Sequence, residues 1–130
     1  MADKTTFLRA FNTHFFEFMD DIIKIFPENV DIAASKTFFE VTKKANPTII
    51  VKIWFQFVSA PYGEVLANGD LEYFINKDYS EDVANLPNSK DVLASIDGLR
   101  APIKEMTPDN KAHSLKYLQN LNKLANAYGQ

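Results

Sequence analysis

The 130-residue chain has no cysteine, only four glycines and a single tryptophan, and its longest apolar run is ten residues. Without cysteine there are no disulfide frameworks, thiolate zinc sites, iron–sulfur clusters or cysteine nucleophiles, and a reducing compartment is the natural setting. Gly63, Gly69 and Gly98 stand isolated, so no glycine-rich phosphate loop is present. Few glycines and six prolines also argue against a turn-rich barrel or sandwich. The ten-residue run, Ile49–Val58, contains Lys52 and Gln56 and is too short to cross a bilayer, which takes about 20 residues. The first residues are apolar, but Asp3, Glu17, Asp20 and Asp21 interrupt them, and they do not read as a secretory leader. Asn46 is followed by Pro47, so it is no glycosylation acceptor.

What the chain has is apolar and aromatic mass. Hydrophobic residues make up 46% and aromatic residues 13%, with eleven phenylalanines. That supports a packed core, and the length fits one domain over residues 1–130. Charge is uneven beneath a net value of -3. Residues 1–63 are neutral, residues 64–97 carry -6, and residues 98–130 carry +3. The acidic middle and basic tail either pair with each other or face different partners.

Leu8, Phe11, Phe15, Phe18, Ile22 and Ile25 recur at helical spacing and predict a helix from Thr6 to Phe26, stopped by Pro27. A second helix starts with Asn29 or Asp31 as cap and ends near Ala45, carrying Ile32, Phe38, Phe39 and Val41 inward. Pro47–Ala60 reads as a nearly buried helix, because Lys52, Gln56 and Ser59 fall on one helical face. A buried strand is the rival, since the run is β-branched and aromatic. Ala60-Pro61 bends or ends this element. Asp70 caps a short helix through Ile75, and 76–89 is irregular. A helix from Ser89 to about Gly98 comes next, limited by Pro102. Thr107-Pro108-Asp109 opens the last helix, with Tyr117, Leu118, Leu121, Leu124, Ala125 and Tyr128 as its apolar face. The expected fold is all-α, an irregular single-domain bundle of five to seven helices.

Catalytic and metal chemistry finds little purchase. His14, Glu17 and Asp21 share a helix face, but a two-metal carboxylate bundle needs Glu-x-x-His on two helices and two further carboxylates. Asn76–Asp82 places oxygen at the first, third and fifth positions of a calcium loop. Glu81 then stands where the turn glycine belongs, and Pro87 replaces the final glutamate. No glycine-flanked serine elbow accompanies either histidine. The expectation is a non-enzyme without metal, cofactor or small-molecule substrate.

Two surfaces remain as candidates. Apolar mass beyond what short helices hide places Trp54, Phe55, Tyr62, Tyr73 and Phe74 in a protein-binding or self-association patch. Lys116, Asn120 and Lys123, at spacings of four and three, offer a nucleic-acid face on the last helix. A protein-interaction or structural role, with self-association or a protein partner, is the leading expectation, and nucleic-acid association is the alternative.

Three stretches, FNTHFFEFMDDIIKIFPENVDI, KANPTIIVKIWFQFVSAPYGEVLANGDLEYFINKDYSED and DNKAHSLKYLQNLNKLANAY, resemble small helical proteins encoded by large DNA viruses of algae and protists. The resemblance implies an intracellular setting, the cytoplasm or nucleus of an infected cell, or the virion. It implies no activity and no binding residues.

Overall fold

The computed structural model describes residues 3–78, 80–81, 84–85 and 89–129, leaving aside the side chains at 57, 60–62, 92, 95, 96 and 99. Among these residues every regular element is helical. The β-branched run at 49–58 is therefore helix and not strand, because its tertiary neighbours are helices and no second strand exists among the described residues to pair with it.

The first helix, α1 (Lys4–Ile25), begins where Asp3 accepts the Thr6 amide at 2.9 Å. Phe11, Phe15, Phe18, Met19 and Ile22 line its buried face, as the spacing predicts. Ile25, expected inside, is 38% exposed, in the last turn of α1. Asn29 caps α2 (Val30–Ala45) by accepting from the Asp31 and Ile32 amides. Ile32 is buried and Phe39 packs against the core, but Val41 is 62% exposed, which corrects its inward assignment. Nine residues at 100° each put Val41 half a circumference from Ile32.

The central path runs through α3 (Ile49–Trp54), a π-turn (Phe55–Ser59) and α4 (Ala60–Ala67) without leaving helical geometry. Ala60-Pro61 does not end it. The wide turn stands directly upstream, where proline's missing N–H would otherwise break an α ladder. The extra residue in that turn rotates the helix beyond it. Lys52 and Gln56 stay outside, whereas Ser59, expected on the same wet face, is buried. Gly69, at φ +88°, makes the left-handed turn into α5 (Leu71–Asn76), and Asp70 accepts from the Tyr73 amide.

Helix α6 (Ser89–Lys104) continues through Pro102, past the expected end near Gly98. Pro102 sits in the final turn, where a missing donor costs a single ladder bond, and its ring is buried. Thr107 Oγ1 accepts the Asn110 amide at the start of α7 (Pro108–Gly129). The most extensive packing joins α1 to α7 and α2 to α6. Trp54 stands at the centre, its ring 6.1 Å from both Phe11 and Phe74 and 6.4 Å from Phe15.

Candidate functional site

The expected aromatic patch does not assemble on the surface. Trp54 and Phe74 are core residues, 6% and 4% exposed, because the indole fills the space between α1 and α5. Phe55 is half-buried, with its ring against Gly129. Tyr73 is the one described member that is exposed, at 41%. The Tyr62 side chain lies outside the described residues. A packed bundle absorbed the apolar surplus that periodicity left over.

Lys116, Asn120 and Lys123 are all exposed along one face of α7. Among the described residues, the ion pairs are Lys36–Asp20, Arg100–Asp97 and Lys111–Glu72, none of which uses that face. Two other basic residues of the tail serve the fold. Lys111 reaches Glu72 at 3.4 Å, tying α7 to α5. Arg100 is buried, and its Nη1 donates to the carbonyls of Phe74, Ile75 and Lys77, closing the C-terminal end of α5. The acidic middle and basic tail thus pair in part.

The polar edge of α1 meets α7 through Tyr117. Its ring lies 4.6 Å from His14 and stacks on Phe18 at 5.0 Å, and its hydroxyl donates to Asp21 Oδ2 at 2.5 Å. That bond pushes the phenol up to about 12, with burial adding to it. Burial lowers the His14 pKa, opposed by the charge of Glu17. Beside Tyr117 a shallow cavity of about 360 Å³ lies between Phe18, Asp21 and Ile22 on α1 and Met106, His113 and Ser114. Among the described residues no group of three or more histidines and carboxylates is placed to hold a metal ion. The Asn76–Asp82 run falls partly outside the described residues, at 79 and 82.

Sequence reasoning missed two features. One is Asn122, which is not part of the apolar face expected for the last helix. It is 6% exposed, and its Oδ1 accepts from Trp54 Nε1 at 2.7 Å and Ser59 Oγ at 2.9 Å. Its spacing was the available signal, since 122 is four past Leu118 and three before Ala125, both buried. The other is the outer face of α2. Val30 is 76% exposed and Val41 62%, with Ala34 and Thr37 exposed between them at spacings of four, three and four. That stripe faces away from Ile32 and Ser35, the buried residues of the same helix.

Among the described residues no helix is long and apolar enough to cross a membrane. Compared with family models, curated proteins and solved structures, the chain matches none.

Proposed function

We propose that this chain is a non-enzymatic protein–protein interaction or structural component, working as a homo-oligomer or bound to a protein partner through the outer face of α2. The observation that carries the reading is the Val30–Ala34–Thr37–Val41 stripe, three helical turns of exposed apolar and small side chains opposite the core. Isolated exposed apolar residues need no explanation, whereas an aligned set along one helix face is the geometry of helix-on-helix docking. Alanine and threonine between the two valines let a second helix come close. The resemblance to small helical proteins of large DNA viruses supports a setting in an infected eukaryotic cell, in the particle or in replication and assembly sites.

The test is the oligomeric state by sedimentation up to about millimolar concentration, with cross-linking to partners in host-cell extract. Self-association or a discrete cross-linked partner that Val30→Glu with Val41→Glu abolishes, with the helical spectrum unchanged, supports the reading. A monomer that cross-links to nothing sensitive to those changes removes it.

A second reading is nucleic-acid association through Lys116, Asn120 and Lys123. Their shared exposure, clear of every ion pair among the described residues, favours it. It calls for salt-sensitive binding weakened by Lys116→Glu with Lys123→Glu, and no mobility shift at low salt rejects it.

A further inference from the structure

The cleft between α4 and α7 presents two amide groups whose orientation the protein fixes. Asn122 is 6% exposed, and its Oδ1 accepts from both Trp54 Nε1 and Ser59 Oγ. Both lone pairs of that oxygen are used, so the side chain keeps its NH₂ group, two donors, on a residue that lines the cleft. One turn earlier, Gln119 also lines the cleft and is fixed in the opposite sense. Its Nε2 donates to the Leu66 carbonyl at 2.8 Å, which leaves Oε1 as an acceptor. Flipping either amide breaks the bonds that hold it, so the donor and acceptor assignments follow from the network.

The rest of the cleft carries matched chemistry. Glu64 and Lys123 line it and form no ion pair with each other. The π-turn supplies Ser59 to one wall, and π-turns recur at functional sites. Gly63 also lines the cleft, and a Cβ built there meets no atom within 4 Å, so the position has room for a side chain. The cleft is as shallow as the one beside Tyr117, with a volume of about 430 Å³.

We propose that this cleft binds a nucleotide unit. Asn122 donates to and Gln119 accepts from a base edge that presents an acceptor beside a donor, the pattern that a single Asn or Gln amide reads on adenine. The Glu64 carboxylate accepts from ribose hydroxyls. Lys123 attracts the phosphate as a point charge. This site goes beyond the protein-docking reading, is independent of α2, and shares only Lys123 with the α7-face reading. The same chemistry comes from two sources, a free mononucleotide or an unpaired nucleotide of single-stranded RNA.

The experiment titrates AMP, GMP, CMP and UMP separately, and a mixed-sequence single-stranded RNA octamer, into the full chain by calorimetry at low salt. Saturable binding of a mononucleotide is expected. It should weaken by about tenfold or more in Gly63→Leu, which adds a bulky side chain to the cleft lining, and in Glu64→Gln, while Lys116→Glu leaves it unchanged. Binding of the octamer alone, with the same sensitivity to Gly63→Leu, assigns the source to RNA. Octamer binding that Lys116→Glu abolishes and Gly63→Leu leaves intact overturns the cleft but keeps the α7-face reading. No saturable binding of any probe overturns both. Circular dichroism of each variant shows that the fold is intact, and Gly63→Leu points into open space, so its failure to fold is not expected.

Discussion

Trp54 donates its indole N–H to Asn122 Oδ1 at 2.7 Å inside the core, joining the end of α3 to the middle of α7. Ser59 uses the same oxygen from the π-turn, so one buried amide holds three segments. Replacing Asn122 with leucine keeps the branched shape but leaves two buried donors without their acceptor. The expected cost is about 2–4 kcal/mol, since each orphaned group carries its own desolvation penalty. Urea unfolding followed by far-ultraviolet circular dichroism should show a lower midpoint with an unchanged slope. Trp54→Phe should then cost less in the Asn122→Leu background than in the wild type, because the orphaned indole donor leaves with it. A neutral Asn122→Leu variant refutes the network.

Helices α2 and α6 pack closely at Gly98. A Cβ built there comes 2.4 Å from Ser35 Oγ and 3.3 Å from the Asp31 carbonyl. Alanine would be the better helix former by about 1 kcal/mol, so propensity and packing make opposite demands at this position. Backbone cannot give way as a flexible side chain can, and packing should win. Gly98→Ala is expected to destabilise by about 1–3 kcal/mol. Ser35→Ala removes the nearer clash, and the double variant should recover part of the loss. Gly63→Ala is the control: with no atom within 4 Å of its Cβ, it should stabilise by about 0.5–1 kcal/mol. Thermal or urea unfolding of the four chains decides, and a Gly98→Ala gain equal to that of Gly63→Ala refutes the tight crossing.

The long amphipathic helices were legible because α1 and α7 repeat their apolar residues over several turns and α7 carries Thr107 and Pro108 at its start, whereas the Asp3 cap, which begins α1 two residues before Thr6, was not read. The single cap residues Asn29 and Asp70 were legible for the same reason, since a short polar side chain before an apolar run has a local job. The π-turn was not legible. Lys52, Gln56 and Ser59 set a phase only for a regular α-helix, and in a run apolar nearly all round one added residue per turn leaves no mark. Ser59 and Asn122 were misplaced together because their burial depends on each other and on Trp54, a relation 68 residues apart in the chain. The aromatic patch failed for a similar reason. Counting apolar residues does not reveal that α1 and α5 enclose the Trp54 ring.

Tyr117 and His14 touch across the α1–α7 interface and should make stability depend on pH at both ends of the range. The phenol is pushed up to about 12, first by its hydrogen bond to Asp21. Unfolded, it ionises near its ordinary value of 10. Between those values the folded chain holds a proton that the unfolded chain has released, so its contribution is full below pH 10 and lost as pH rises toward 12. Ultraviolet titration should show one of the five tyrosines ionising late, and Tyr117→Phe should remove that late step. Asp21→Asn should move it earlier. For His14 the sign is the reverse, because burial depresses its pKa below 6.5. Here the unfolded chain takes up the proton first, so stability is lost as pH falls from 6.5 through the folded value and is level above it. Urea midpoints between about pH 5 and 7.5 should fall toward acid in the wild type and fall less in His14→Phe. Equal slopes in the two chains would mean that the imidazole is not desolvated against Tyr117.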